Sequence, residues 1–200
     1  MSGEEILQVS YHAIRNSLQR ALNSVLEAGS KSERLIPEYH DFIPYNPDRV
    51  RDELSFTAET CHSMPDLPRR FLDVGCGPGN VMLVAGSFGF LPFGIEYNPA
   101  LVKRAPYPQH ERYSPVEKVA GIYQQDAFKF RNYGDFDVVY LYCPIANSSL
   151  EARLEQLIES QLKEGAIYIV NLKQDRSIMK NPDFEYIGAD KKLPVWRKIS

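Results

Sequence analysis

Apolar positions change their period along this chain. Leu7, Tyr11, Ile14, Leu18, Leu22 and Val25 recur at spacings of three and four, which predicts one amphipathic helix over Ser2–Ala28. Ser2 and Glu5 have capping-box spacing, and Gly29 supplies the stop. Leu35–Asn46 has no such period and sets Tyr39, His40, Phe42 and Tyr45 among Pro37 and Pro44. A stiff aromatic loop of that kind can be a lid over a ligand or a packed connector, and both readings stand. Asn46-Pro47 then reads as an N-cap and first-turn pair opening a helix on Val50, Leu54, Ala58 and Cys61, which Pro65 and Pro68 close.

From Arg70 onward short apolar runs alternate with helical ones. Strands are predicted at Phe71–Val74, Leu91–Glu96, Val119–Tyr123, Phe136–Tyr142 and Ala166–Leu172. Helices are predicted at Asn80–Phe88, in a short turn opened by Asn98-Pro99, and at Ser149–Leu162, while Ala105–Lys118 reads as a surface loop. Phe136–Tyr142 is apolar almost throughout, as a central parallel strand covered on both faces should be. Phe184–Ile187 and Val195–Ile199 suit an antiparallel hairpin at the sheet edge. The predicted fold is α/β: a doubly wound, mostly parallel seven-stranded sheet with a C-terminal antiparallel hairpin. Residues 1–68 form the N-terminal helical extension with its possible lid, and residues 69–200 the main domain.

Composition narrows the partners. A net charge of -3 gives the chain no global attraction for nucleic acid or an anionic membrane. The three cysteines, Cys61, Cys76 and Cys143, lie far apart with no C-x-x-C pair, against both a metal site and a disulfide framework. The opening Ser2, Glu4 and Glu5 lack a basic stretch leading into an apolar one, and no run approaches the roughly 20 apolar residues of a membrane span. A soluble cytoplasmic protein is expected, and the N-terminal helix stripe offers a possible homodimer contact.

The candidate chemistry begins at Phe71–Asn80, F-L-D-V-G-C-G-P-G-N: a strand, a tight turn and a helix start. Gly75, Gly77 and Gly79 let backbone approach a ligand closely. Dinucleotide binding would want G-x-G-x-x-G with helix amides aimed at pyrophosphate, whereas Pro78 removes one such amide. Asp73 at the strand tip repels pyrophosphate and favours a cationic sulfonium with its ammonium group. The turn therefore reads as a site for S-adenosylmethionine (AdoMet), with S-adenosylhomocysteine as product. Glu96 ends the second strand about 20 residues past the turn, the spacing of a carboxylate on ribose hydroxyls. Asp126 can accept from an adenine amino group while the amide of Ala127 donates to the ring, and Tyr97 can pack on the adenine face. Each acid also has a plainer use: Asp73 and Asp126 as helix caps, Glu96 as a partner for Lys103 or Arg104.

In order, D-V-G-C-G-P-G-N, G-I-E-Y-N, Q-Q-D-A-F, F-D-V-V-Y-L-Y and L-K-E-G-A-I-Y-I-V resemble the class I (Rossmann-like) AdoMet-dependent methyltransferases from Phe71 to the C-terminus. The resemblance implies Asp73 near the methionine amine, Gly75, Cys76, Gly77 and Gly79 beside the cofactor's centre, Glu96 on the ribose and Asp126 on the adenine, with Tyr142 bordering the cofactor. A weaker similarity, to disruptor-of-silencing type lysine methyltransferases and their small prokaryotic look-alikes, rests on Y-N-P-D-R-V, G-I-E-Y-N and D-V-V-Y-L-Y followed by Asn147. It implies that Tyr45–Val50 folds over the cofactor, and no histone substrate is carried over.

The methyl acceptor is less legible. Nucleic-acid amino methyltransferases place N-P-P-Y or D-P-P-Y after the fourth strand, and here Tyr142-Cys143-Pro144-Ile145 lacks the polar residue that holds the amine. A small molecule or a protein is therefore favoured over nucleic acid as acceptor. Cys76 reads as a packing residue rather than a nucleophile. Tyr142, Tyr45 and His40 are the candidate bases, with an aromatic wall the plainer role for the tyrosines and a solvated loop position for His40. The alternative function is a non-catalytic methyltransferase-like module acting as a partner or assembly subunit.

Overall fold

A computed structural model describes residues 46–61, 69–110, 113–114, 120–170, 177–188 and 192–200. The expected Ser2–Ala28 helix, the residues 35–45 with His40 and Tyr45, and Pro65 and Pro68 lie outside the described residues.

Helix α1 spans Pro47–Cys61 and opens as its first residues dictate: the Asn46 side chain accepts from the backbone N–H of Asp48 at 3.0 Å and of Arg49 at 3.3 Å. Its buried face carries Val50, Leu54, Thr57 and Cys61. Glu53 is buried on that side too, accepting from Arg49 Nε at 2.9 Å and from the Tyr140 hydroxyl. Burial raises the Glu53 pKa, and the two donors offset part of that rise.

The remaining elements follow the strand–helix alternation: β1 Arg70–Val74, α2 Asn80–Ser87, β2 Leu91–Glu96, α3 Pro99–Val102, β3 Gln109–His110, β4 Gly121–Gln124, β5 Val138–Leu141, α4 Ser148–Gln161, β6 Ile167–Val170, β7 Phe184–Tyr186 and β8 Val195–Lys198. They build an eight-stranded sheet in the order β3-β4-β2-β1-β5-β6-β8-β7. Strands β1 to β6 run parallel, and β8 enters antiparallel between β6 and β7. The doubly wound sheet with its terminal hairpin is the predicted one, with one strand more. The added strand, β3, has two residues inside the stretch read as surface loop and pairs with Ile122–Tyr123. So short and polar a segment has no periodicity to betray it; its place depends on Gly121, where a Cβ would run into the His110 ring.

One sheet face buries Leu72, Val74, Phe93, Ile95, Val139, Leu141 and Tyr168 under Leu154 and Ile158 of α4. The other face carries Phe71 and Tyr140, with ring centroids 6.3 Å apart, beneath the side where Glu53 of α1 reaches the sheet. Both faces are covered, which is why the central strands read as continuous apolar runs. Among the described residues no helix is long and apolar enough to cross a membrane.

Helix α4 is set by one side chain at its start. Asn147 Oδ1 accepts from Ser149 N at 3.0 Å and Leu150 N at 3.1 Å, satisfying two of the amides a helix N-terminus leaves open. Asn147→Ala is expected to cost about 1 kcal/mol of unfolding free energy. A urea midpoint unchanged from the parent would show that the cap is idle.

Candidate functional site

The chain reverses its direction of winding between β1 and β5. β2 and β4 lie to one side of β1, β5 and β6 to the other. In an open parallel sheet the crevice outside the strand C-termini at such a point is where ligands bind. The turn from β1 to α2 occupies it.

That turn is tied to its neighbours by backbone. Gly75 N and Cys76 N both donate to Ile95 O, at 2.8 and 3.0 Å, so the start of the turn is pinned to the end of β2. Gly77 N donates to Glu96 Oε2 at 2.9 Å, and Gly79 N closes the turn on Cys76 O at 2.9 Å. Gly75 sits at φ 76°, and a Cβ there would stand 2.5 Å from Cβ of Pro144. The position needs glycine for its conformation and again for its neighbour. Pro144 follows Cys143, itself at φ 44°, so the turn after β5 is bent sharply against the turn after β1.

Two carboxylates meet here. Asp73 is 3% exposed, and its Oδ2 makes no hydrogen bond among the described residues. Burial, and then the charge of Glu96, push its pKa up to about 8. Glu96 is buried and uses both oxygens, accepting from Gly77 N and, at 2.7 Å, from Asn98 N. Burial raises its pKa as well, while the backbone donors of Asn98 and Gly77 oppose the rise. Asp73 pairs in register with Gly94, two residues before Glu96, so both acids project from the same sheet face.

Cys76 has turned its side chain inward, packing with Met82, Val102 and Ile122. A Cβ on Gly94 would stand 2.5 Å from its Sγ, so β2 has been cut back to make room for the sulfur. Burial, then Asp73 and Glu96, push the thiol well above its ordinary range, which disfavours the thiolate a nucleophile needs.

The other expected residues lie along the same edge. Asp126 is half-buried and caps the 3-10 turn Ala127–Lys129, accepting from Phe128 N at 2.9 Å with Oδ1. Ala127 is braced from behind, its carbonyl accepting from the buried Tyr133 hydroxyl at 2.8 Å. Gln125 N donates to Glu96 O at 3.0 Å and joins the ends of β4 and β2. Tyr97 is exposed beside Glu96, and Tyr142 is half-buried beyond β5, across β1 from them. Hydrogen bonds thus bind Glu96 to the glycine turn, with Asp73 projecting beside it, while Tyr97, Asp126 and Ala127 line one flank and Tyr142 the other.

Three residues at this edge escaped the sequence reading. Tyr107 lays its ring over Gly79, where a Cβ would meet it at 3.1 Å, and packs on the Cys76 cluster. Burial, then Asp73 and Cys76, push its hydroxyl up to about 12, so it stays a donor. Pro144 touches Gly75 across a long stretch of chain, and neither contact leaves a periodic trace. Asn80, buried at the first position of α2, did leave one: a polar residue immediately after the last glycine.

No family model and no curated protein sequence matches the chain. Among solved structures it is similar to an RNA methyltransferase from Salinibacter ruber, in complex with S-adenosyl-L-homocysteine, at 22% identity over 78% of this chain and 92% of that one, with a TM-score of 0.51. It is also similar to DesVI from Streptomyces venezuelae, at 16% identity over 76% of this chain and 56% of that one, with a TM-score of 0.45. CalS10, an amino pentose methyltransferase from Micromonospora echinaspora, matches at 18% identity over 70% and 62%, with a TM-score of 0.46. At the level of fold, the chain resembles the class I methyltransferases.

Proposed function

We propose that this chain is an AdoMet-dependent methyltransferase acting on a small-molecule or protein acceptor. The observation that carries this reading is Asp73, a buried carboxylate with an unpartnered oxygen at the switch-point turn, beside a second buried acid. An uncompensated buried carboxylate costs several kcal/mol, roughly, so a fold that keeps one invites a cation to complete it. A sulfonium with an α-ammonium group is such a cation, and a pyrophosphate is its opposite. The S-adenosyl-L-homocysteine in the Salinibacter ruber structure supports the same class of ligand.

In this reading Asp73 accepts from the ammonium group. Glu96 keeps a second lone pair on each oxygen for the ribose hydroxyls, beyond its bonds to Gly77 and Asn98. Asp126 keeps Oδ2 for the adenine amino group. The bonds of its turn run from Lys129 N and Phe130 N to Asp126 O, so the Ala127 N–H stands outside them for the ring. Tyr97 supplies an aromatic face and Tyr142 borders the far side. When bound, AdoMet would supply an electrophilic methyl group, passed in line to the acceptor while the sulfur leaves as the neutral thioether of S-adenosylhomocysteine. The protein's share is alignment and the exclusion of water, which a stiff, backbone-tied turn suits.

Isothermal titration with AdoMet, S-adenosylhomocysteine and NADH tests the reading, with saturable binding expected for the first two and none for NADH. Failure to bind either adenosyl ligand would sink it. AdoMet binding without tritiated methyl transfer into any lysate fraction would favour the non-catalytic module.

A further inference from the structure

Helix α2 begins without a side-chain cap. Its N-cap residue is Gly79, left-handed at φ 85°, which has no oxygen to offer the first amides. Asn80, the first helical residue, is 8% exposed, and its Nδ2 makes no hydrogen bond among the described residues. Two kinds of donor are therefore left open at one helix end: the leading backbone N–H groups and a buried carboxamide. Asp73, near the end of β1 just before this turn, leaves an acceptor open. Burying either group unpaired is unfavourable, and each unpaired group in a native fold calls for its own explanation. An uncapped helix N-terminus favours an anion, and a carboxylate beside it is held by the helix dipole as well as by the donors.

We propose that Asn80 donates its side-chain amide to the carboxylate of the cofactor's amino-acid end, so that Asn80 and Asp73 together select a ligand carrying a free α-carboxylate and α-ammonium group. The inference rests on the AdoMet reading and adds to it a specificity residue for the end of the cofactor remote from the methyl group. Tyr107, packed over Gly79, shields this turn from water and so strengthens both contacts.

Decarboxylated AdoMet isolates the contact, because it keeps the sulfonium and the amine and lacks only the carboxylate. Titrations of both ligands into the parent and Asn80→Ala proteins, with thermal unfolding of each, test the proposal. The parent is expected to prefer AdoMet. Asn80→Ala is expected to weaken AdoMet by about 10- to 100-fold, the range for a hydrogen bond to a charged group, and to leave decarboxylated AdoMet unchanged. It should unfold no earlier than the parent, since alanine suits a helix and removes an unpaired donor. Equal losses for both ligands, or no loss for either, would overturn the assignment. A parent protein that binds neither ligand would instead remove the AdoMet reading, and this inference with it.

Discussion

Asp73→Asn is expected to unfold at higher urea than the parent at about pH 8.5 and at nearly the same urea at about pH 3, while losing AdoMet affinity by about 10- to 100-fold. The sign follows from which state holds the proton. In the unfolded chain this carboxyl ionises near 3.8, and in the fold near 8. Below both values each state is protonated and the residue contributes no pH dependence. As pH rises between them, the unfolded chain releases its proton and the folded one keeps it, so stability falls steadily and levels off above about 8. Asparagine never ionises and escapes that loss. A rise from 3.8 to about 8 corresponds to a loss on the order of 5 kcal/mol, less whatever the structure recovers by relaxing around the charge. Parallel urea midpoints across the whole pH range would contradict the buried-acid picture.

A ligand cation reverses the same balance. The ammonium group favours ionised Asp73, so binding at pH 7 should expel a proton and affinity should climb as pH approaches 8. Titration in buffers of different ionisation enthalpy reads that proton directly. The variant should release none.

The second large effect is Gly75→Ala. The new methyl group meets Pro144 Cβ at 2.5 Å, on a residue already at φ 76°. Overpacking of this kind costs about 1–3 kcal/mol, and holding alanine in the left-handed region costs about 1 kcal/mol more. Since the partner sits on another loop, the contributions can be separated. Pro144→Gly removes the obstructing atoms, so the double variant should recover the steric part and retain the conformational one. Strictly additive losses in the double variant would rule out a direct clash.

Much of this edge was legible because its residues stand where strands end. Asp73, Glu96 and Asp126 each close an apolar run, and the strand period alone places them at the carboxyl edge. What they do there was less legible. Glu96 reads as a ribose ligand, yet its carboxylate already holds Gly77 and Asn98 by their backbone N–H groups. Asp126 takes the plainer of its two readings with one oxygen and keeps the other. Backbone amides carry no side-chain identity, so no residue pattern announces such bonds. Tyr107 sits between Pro106 and Pro108 in a stretch without periodicity, and its place over Gly79 is a tertiary contact. The β3 strand was hidden for the same reason, being short, polar and dependent on a distant glycine.

The doubled bond onto Ile95 O bears on how fast a ligand can be taken up. A glycine-rich segment ordinarily keeps more conformational freedom than any other, and a binding partner must then halt it. Here Gly75, Cys76 and Gly77 give up that freedom when the chain folds, to a carbonyl and a carboxylate of β2. A molecule binding there would meet backbone already tied down, and encounter rather than loop ordering is then expected to set the pace at this turn.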